Sequence, residues 1–281
     1  MKRAIRMNLM ALLALSLFTA CEKPNEKGEG SAETATKDYI EKAFGVNLAM
    51  VYVEGGEFEM GATAEQNGNA GINEVPIRMI KLDGYHIGKY EVTQAQWKAL
   101  MGTTIAQQGD KEFDDLQLDG VGDNYPMYYV SWEEAQEFCN RLSKKTGKKY
   151  MLPTEAQWEY AARGGNKSQH YKYSGSNDIE EVAWYDDNSY GCNSVGAKKA
   201  NELGIYDMSG NVGEWCSDWY MDWYDKADNY NPQGPRSGFS RVRRGGSWDS
   251  YIGYCRVSHR SYFIPGVRYY DLGFRVVCSS K

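Results

Sequence analysis

Histidine is scarce in this chain. Only His86, His170 and His259 occur among 281 residues, and no two stand at an HxxxH spacing. That argues against a metal centre built on paired histidines. A basic excess is also missing: 38 acidic residues outweigh 32 Lys and Arg, for a formal charge of −6. An acidic chain without a basic patch argues against nucleic acid and anionic lipid as main partners. No apolar run reaches membrane-spanning length. The stretch Met7 to Ala20 is too short to cross a bilayer comfortably, and no second candidate follows it. No internal repeat is visible.

The N-terminus indicates export. Lys2, Arg3 and Arg6 form a basic region ahead of the apolar stretch, the pattern of a signal peptide over residues 1–20. It ends LFTAC, which resembles a bacterial lipobox with Phe18 where such boxes usually carry Leu. Cleavage there leaves Cys21 as a lipidated N-terminus that anchors the protein without spanning the membrane. The expected location is the cell envelope, periplasmic or surface-exposed. Loss of the three signal-peptide cations makes the mature chain about −9. Residues 21–45, rich in Glu and Lys, read as a flexible tether.

Residues 46–281 have the composition of one globular domain. Beyond Cys21 there are five cysteines: Cys139, Cys192, Cys216, Cys255 and Cys278. An oxidising compartment permits disulfides, but an odd number leaves at least one thiol without an internal partner. MVYVEGGEFEMG, Met50 to Gly61, alternates around Gly-Gly like a hairpin. IRMIKLDGYHIGKYEVT continues as strand material. Three helices announce themselves by capping boxes: Thr93 with Gln96, Ser131 with Glu134, and Thr154 with Gln157. Gly147 and Gly164 stop the second and third. From Gly165 onward Gly, Asn, Asp, Ser, Tyr and Trp dominate. Long ordered loops with a few short strands are expected there, propped by metal ions, buried tryptophans or disulfides.

Six segments now matter together: MVYVEGGEFEMG, GYHIGKYEVTQAQW, the run from YPMYYVSW through AARGG, GIYDMSGNVGEWCSDWY, RRGGSW and LGFRVV. In this order they resemble the sulfatase-modifying-factor family, whose founding member is the formylglycine-generating enzyme. The resemblance spans Met50 to Val277. It implies an α+β, C-type-lectin-like fold with few helices, short strands and long loops. It also raises an activity, oxidation of a sulfatase cysteine to formylglycine with oxygen and copper. The family's enzymes hold copper with a C-x4-C pair after Arg-Gly-Gly-Ser, since soft thiolates select Cu(I). Here that segment reads WDSYIGYC. If Cys255 takes the second cysteine position, the first falls on Ser250, a poor copper ligand. Cys255 is catalytic only if one thiol suffices; otherwise it is a disulfide partner or a small buried residue. A sulfoxide-forming branch of the family uses histidine-held iron and an added helical domain, both missing here.

The resemblance further implies structural calcium at YDMSGNVGEW, with carboxylates from Asp207 and Glu214 and carbonyls from Gly210 and Val212. The C-terminal run WDSYIGYCRVSHRSYFIPGVRYYDLG is similar to the variable region of diversity-generating-retroelement target proteins. Tyr and Ser on a rigid frame make adaptable contacts. The candidate ligand-binding residues are Trp248, Asp249, Ser250, Tyr251, Tyr254, His259, Tyr262, Phe263, Tyr269, Tyr270 and Asp271; Ser261 fits the same pattern. They also read as ordinary loop residues of a tyrosine-rich family. One fold hosts several functions, so three readings stand: a binding module for a protein or glycan ligand, a sulfatase-maturation oxidase, and a structural component of the cell envelope.

Overall fold

A computed structural model describes residues 37–66, 70–110, 118–223 and 228–279. Cys21 and the signal segment lie outside them. The first sheet brings the two ends of the domain together. Its strands are β1 (Tyr39–Ala43), β2 (Val46–Val53), β5 (Tyr85–Gly88), β6 (Tyr150–Met151) and β11 (Val277–Ser279), in the order β1-β2-β5-β11-β6. All its pairings are antiparallel, and β11 inserts between β5 and β6. β1 falls within the stretch expected to be tether, so Tyr39–Ala43 belong to the domain's sheet instead.

The Gly-Gly segment is not a hairpin. β3 (Gly56–Met60) leaves β2 and pairs instead with β4 (Arg78–Leu82). Gly55 sits against the carbonyl of Leu82, where a Cβ would come to 2.6 Å. The alternation gave two strands correctly but could not name their partners.

Each expected capping box is formed. α1 (Gln94–Met101) is capped by Thr93 and Gln96, α3 (Trp132–Thr146) by Ser131 and Glu134, and α4 (Glu155–Ala162) by Thr154 and Gln157. Gly147 closes α3 in the left-handed conformation, while α4 ends on Arg163, one residue before left-handed Gly164. Two short helices were not anticipated: α2 (Ile105–Gly109), boxed by Thr104 and Gln107, and α5 (Ile179–Val182). The core packs α1 and α3 on the first sheet. Trp97 stacks on Phe138, and both meet Phe274 edge-on.

The second half is irregular, as its composition predicts. Its sheet has the order β10-β7-β8-β9, formed by β7 (Gly213–Trp219), β8 (Arg241–Arg244), β9 (Ser261–Phe263) and β10 (Leu272–Gly273). The expected disulfides are not what holds it. All five cysteines are free and buried. Buried arginines take that role, each joining a carboxylate to loop carbonyls. Arg244 contacts Glu159 and Glu155 and donates to the carbonyls of Val257 (3.0 Å) and Ser258 (3.1 Å). Arg256 grips Glu74 at 2.7 Å and the Gly253 carbonyl at 2.9 Å. Arg260 pairs with Glu155 at 2.6 Å and reaches the carbonyls of Asn73 and Met221. Arg275 pairs with Glu214 at 2.7 Å and reaches the carbonyls of Gly88 and Tyr206. The planar fork of arginine suits this double task.

Breaking one such pair strands a buried charge. Arg244→Met is expected to lower unfolding stability by about 3–5 kcal/mol. Lys199→Met, which removes an exposed, solvent-screened pair with Glu181, should leave stability almost unchanged. Urea unfolding midpoints distinguish the two; equal, small losses would contradict the network's role.

Candidate contact face

The candidate surface grows from the end of β8. Gly245 and Gly246 follow, both at positive φ. A Cβ on Gly246 would meet the Cys255 sulfur and the Tyr254 carbonyl at 2.9 Å, so only glycine lets the next turn fold back this tightly. The chain then forms a knot of hydroxyls. Ser247 N–H donates to Ser250 Oγ at 3.0 Å, and the two hydroxyls share a 2.9 Å hydrogen bond. Ser247 Oγ donates to Asp271, which also pairs with Arg243. Trp248 N–H is fixed to the carbonyl of Asn211 at 2.8 Å.

This frame sorts the sequence candidates. Ser250 and Asp271 are buried and turned into the knot, so they leave the contact set: they shape the loop. Trp248 is also largely covered. Asp249, Tyr251, Tyr254 and Tyr262 are exposed, Tyr251 to 70%. His259, Ser261, Phe263, Tyr269 and Tyr270 are half-buried. Two chains of rings cover the face. One runs Trp248–Tyr270–Tyr269–Phe263 with centroids 5.7, 4.6 and 5.2 Å apart. The other runs Tyr251–Tyr254–His259 at 6.2 and 4.8 Å. Burial, reinforced by Arg256, Arg244 and Arg243 and opposed by Glu74, pushes His259 down to about 4.

Cys255 sits beneath this face, not on it. It ends a 3-10 turn, Ile252–Cys255, and is fully buried among Tyr173, Ile179, Val182, Ala183 and Tyr185. Burial, with a lesser push from Asp186, raises its thiol to about 12. A reactive thiol needs the opposite setting. Ser250, at the other copper position, has its hydroxyl engaged by Ser247. The residues present do not fit a two-thiolate copper site.

The calcium expectation places Asp207, Gly210, Val212 and Glu214 around one ion. Asp207, Gly210 and Asn211 all have positive φ, so the chain turns tightly here. A Cβ on Gly210 would come within 2.1 Å of the Trp184 carbonyl. Glu214, however, gives both carboxylate oxygens to Arg275 and one also to Trp158 Nε1 at 2.8 Å. Asp207 accepts the Gly196 N–H at 2.7 Å and is pushed up to about 6, chiefly by burial. Sequence reasoning missed Glu91. Its carboxylate accepts the Val212 N–H and the Asn211 side chain, and burial, Asp207 and Glu214 hold it well above the usual range. Among the described residues no three His, Cys, Asp or Glu side chains are grouped to hold a metal ion. Arg275 is the counter-cation that Glu214 meets here. Excess chelator is therefore expected to leave the melting temperature unchanged. A fall of several degrees, reversed by Ca2+, would restore the ion to this loop.

Comparison with known proteins matches this geometry to a family. The model of the sulfatase-modifying factor enzyme 1-like domain matches residues 37–280. The chaperone protein LppX of Paenibacillus barcinonensis is 34% identical, covering 82% of this chain and 89% of its own length. The formylglycine-generating enzyme of Mus musculus is 27% identical over 91% and 84% of the two chains. The solved structure of Treponema denticola variable protein 1 superposes with a TM-score of 0.73 at 31% identity, covering 86% of this chain and 99% of that one. The α+β fold is thus formylglycine-generating-enzyme-like, within the C-type-lectin-like class. The chain belongs to the sulfatase-modifying factor enzyme 1-like family.

Proposed function

We propose that this protein is a non-catalytic binding module, displayed at the cell envelope, that uses the face from Trp248 to Tyr270 to hold a ligand. One observation carries the reading: the positions that would bind copper hold a hydrogen-bonded serine and a buried, high-pKa thiol. The aromatic face above them supports it, since Tyr offers large contact area at low entropic cost. The relatives agree in direction. The two named as a chaperone and a variable protein match at higher identity than the formylglycine-generating enzyme of Mus musculus.

The direct test is turnover. Incubation with Cu(I), oxygen and a Cys-x-Pro-x-Arg peptide is expected to give no formylglycine by mass spectrometry, beside an active enzyme control. Turnover that vanishes in Cys255→Ala would overturn the reading. Anchoring through Cys21 is tested separately. Wild-type protein is expected in the membrane fraction and Cys21→Ser in the soluble fraction; identical partitioning would remove the lipid anchor.

A further inference from the structure

We infer that the cavity beside the end of β7 is a second ligand site, and that it takes a small zwitterion of the α-amino-acid class, with its ammonium toward Asp218 and its carboxylate toward Arg236. The site is separate from the contact face. From the Trp248 to Tyr270 stretch only Arg260 reaches it, and Arg260 is already paired with Glu155.

The cavity holds about 340 Å³, a volume that suits a small molecule. Asp218 lies in its wall and is only 4% exposed. One carboxylate oxygen is committed to the fold: Oδ2 accepts the Glu155 N–H at 2.9 Å, at the start of α4, and the Ser217 hydroxyl at 3.0 Å. The other, Oδ1, has no hydrogen-bond partner among the described residues. Gly234 also lines the cavity, at positive φ, and leaves clear the space that a Cβ would fill 2.9 Å from Oδ1. A buried acceptor without a donor is costly. Burial, and then repulsion from Glu155, push the Asp218 carboxyl up to about 7; a cation beside it would reverse that push.

The wall also supplies the opposite charge. Arg260 is neutralised by Glu155 at 2.6 Å, and Arg78 is held by the Asp228 carbonyl and the Asn229 side chain. Asp228 accepts the Tyr230 N–H. Arg236 is exposed and makes no hydrogen bond or ion pair among the described residues. Much of the remaining wall is apolar, with Met60, Trp219, Met221, Trp223 and Pro235. Trp223 is 61% exposed, and a tryptophan face attracts ammonium groups. A simple amine would leave Arg236 unanswered, a simple acid would leave Asp218, and a neutral sugar would leave both.

The test is calorimetric titration of the purified full chain with each standard L-amino acid, beside the amine and the deaminated acid matched to any that binds. The expected result is saturable binding of at least one amino acid. Its affinity should fall about tenfold or more in Asp218→Asn, in Arg236→Gln, and on loss of either charge from the ligand. Asparagine keeps an oxygen for the Glu155 N–H; should that variant fail to fold, Arg236→Gln and the matched analogues decide alone. Binding unchanged in both variants would overturn the site. An amine that binds as tightly as its amino acid, with no effect of Arg236→Gln, would overturn the zwitterion. No binding of any amino acid would overturn the inference and leave the contact face standing.

Discussion

Buried arginine–carboxylate pairing is the constraint on which the rest of this molecule depends. Roughly the second half of the chain has few strands, so most of its backbone carbonyls cannot be satisfied by a ladder. Arg244, Arg256, Arg260 and Arg275 supply donors where no strand runs, and Glu74, Glu155, Glu159 and Glu214 neutralise them. Glu159 shows how tightly the pairs interlock. It accepts from Arg244, from Arg163 and from the Gly61 N–H, tying α4, β8 and the end of β3 into one unit. Removing any member leaves charge without water or partner.

That internal frame is why the surface is free to specialise. Loop position is fixed from below by Gly246, the Ser247–Ser250–Asp271 knot and the inward arginines. Outward side chains such as Tyr251, Tyr254 and Tyr262 then carry little of the folding load, and replacing them changes recognition more than stability. Cys255 belongs to the frame. Whichever family position it matches, Cys255 is here a small residue buried under the turn among Tyr173, Ile179, Val182, Ala183 and Tyr185. In the loop that resembles a calcium site, the side-chain cation Arg275 faces Glu214.

The local parts of this design were readable from sequence. Thr93, Ser131 and Thr154 announced three helix starts because a capping box lies within four consecutive residues. The loop-rich half was readable from its Gly, Asn and Tyr content. What failed was long-range. β3 alternates as a hairpin strand should, yet its partner β4 comes from beyond the next turn. Ser250 and Asp271 looked like exposed loop residues, and only their separation of 2.9 Å or less from Ser247 reveals them as frame. Asp218 gave no signal, since nothing local places it beside Gly234 and the start of α4. Glu91 lies in a motif, YEVTQAQW, whose obvious feature was the helix start at Thr93, and its partners Asn211 and Val212 are far along the chain.

The central claim is that the family's reactive position has become part of the core beneath a contact face. Alkylation of Cys255 in the native protein tests it most directly, with iodoacetamide near pH 8 and peptide-level mass spectrometry. The account predicts no modification of Cys255 until the protein is unfolded, because its thiol is buried and pushed up to about 12. Rapid modification of the native protein at that pH would mean an accessible thiolate and would contradict the account.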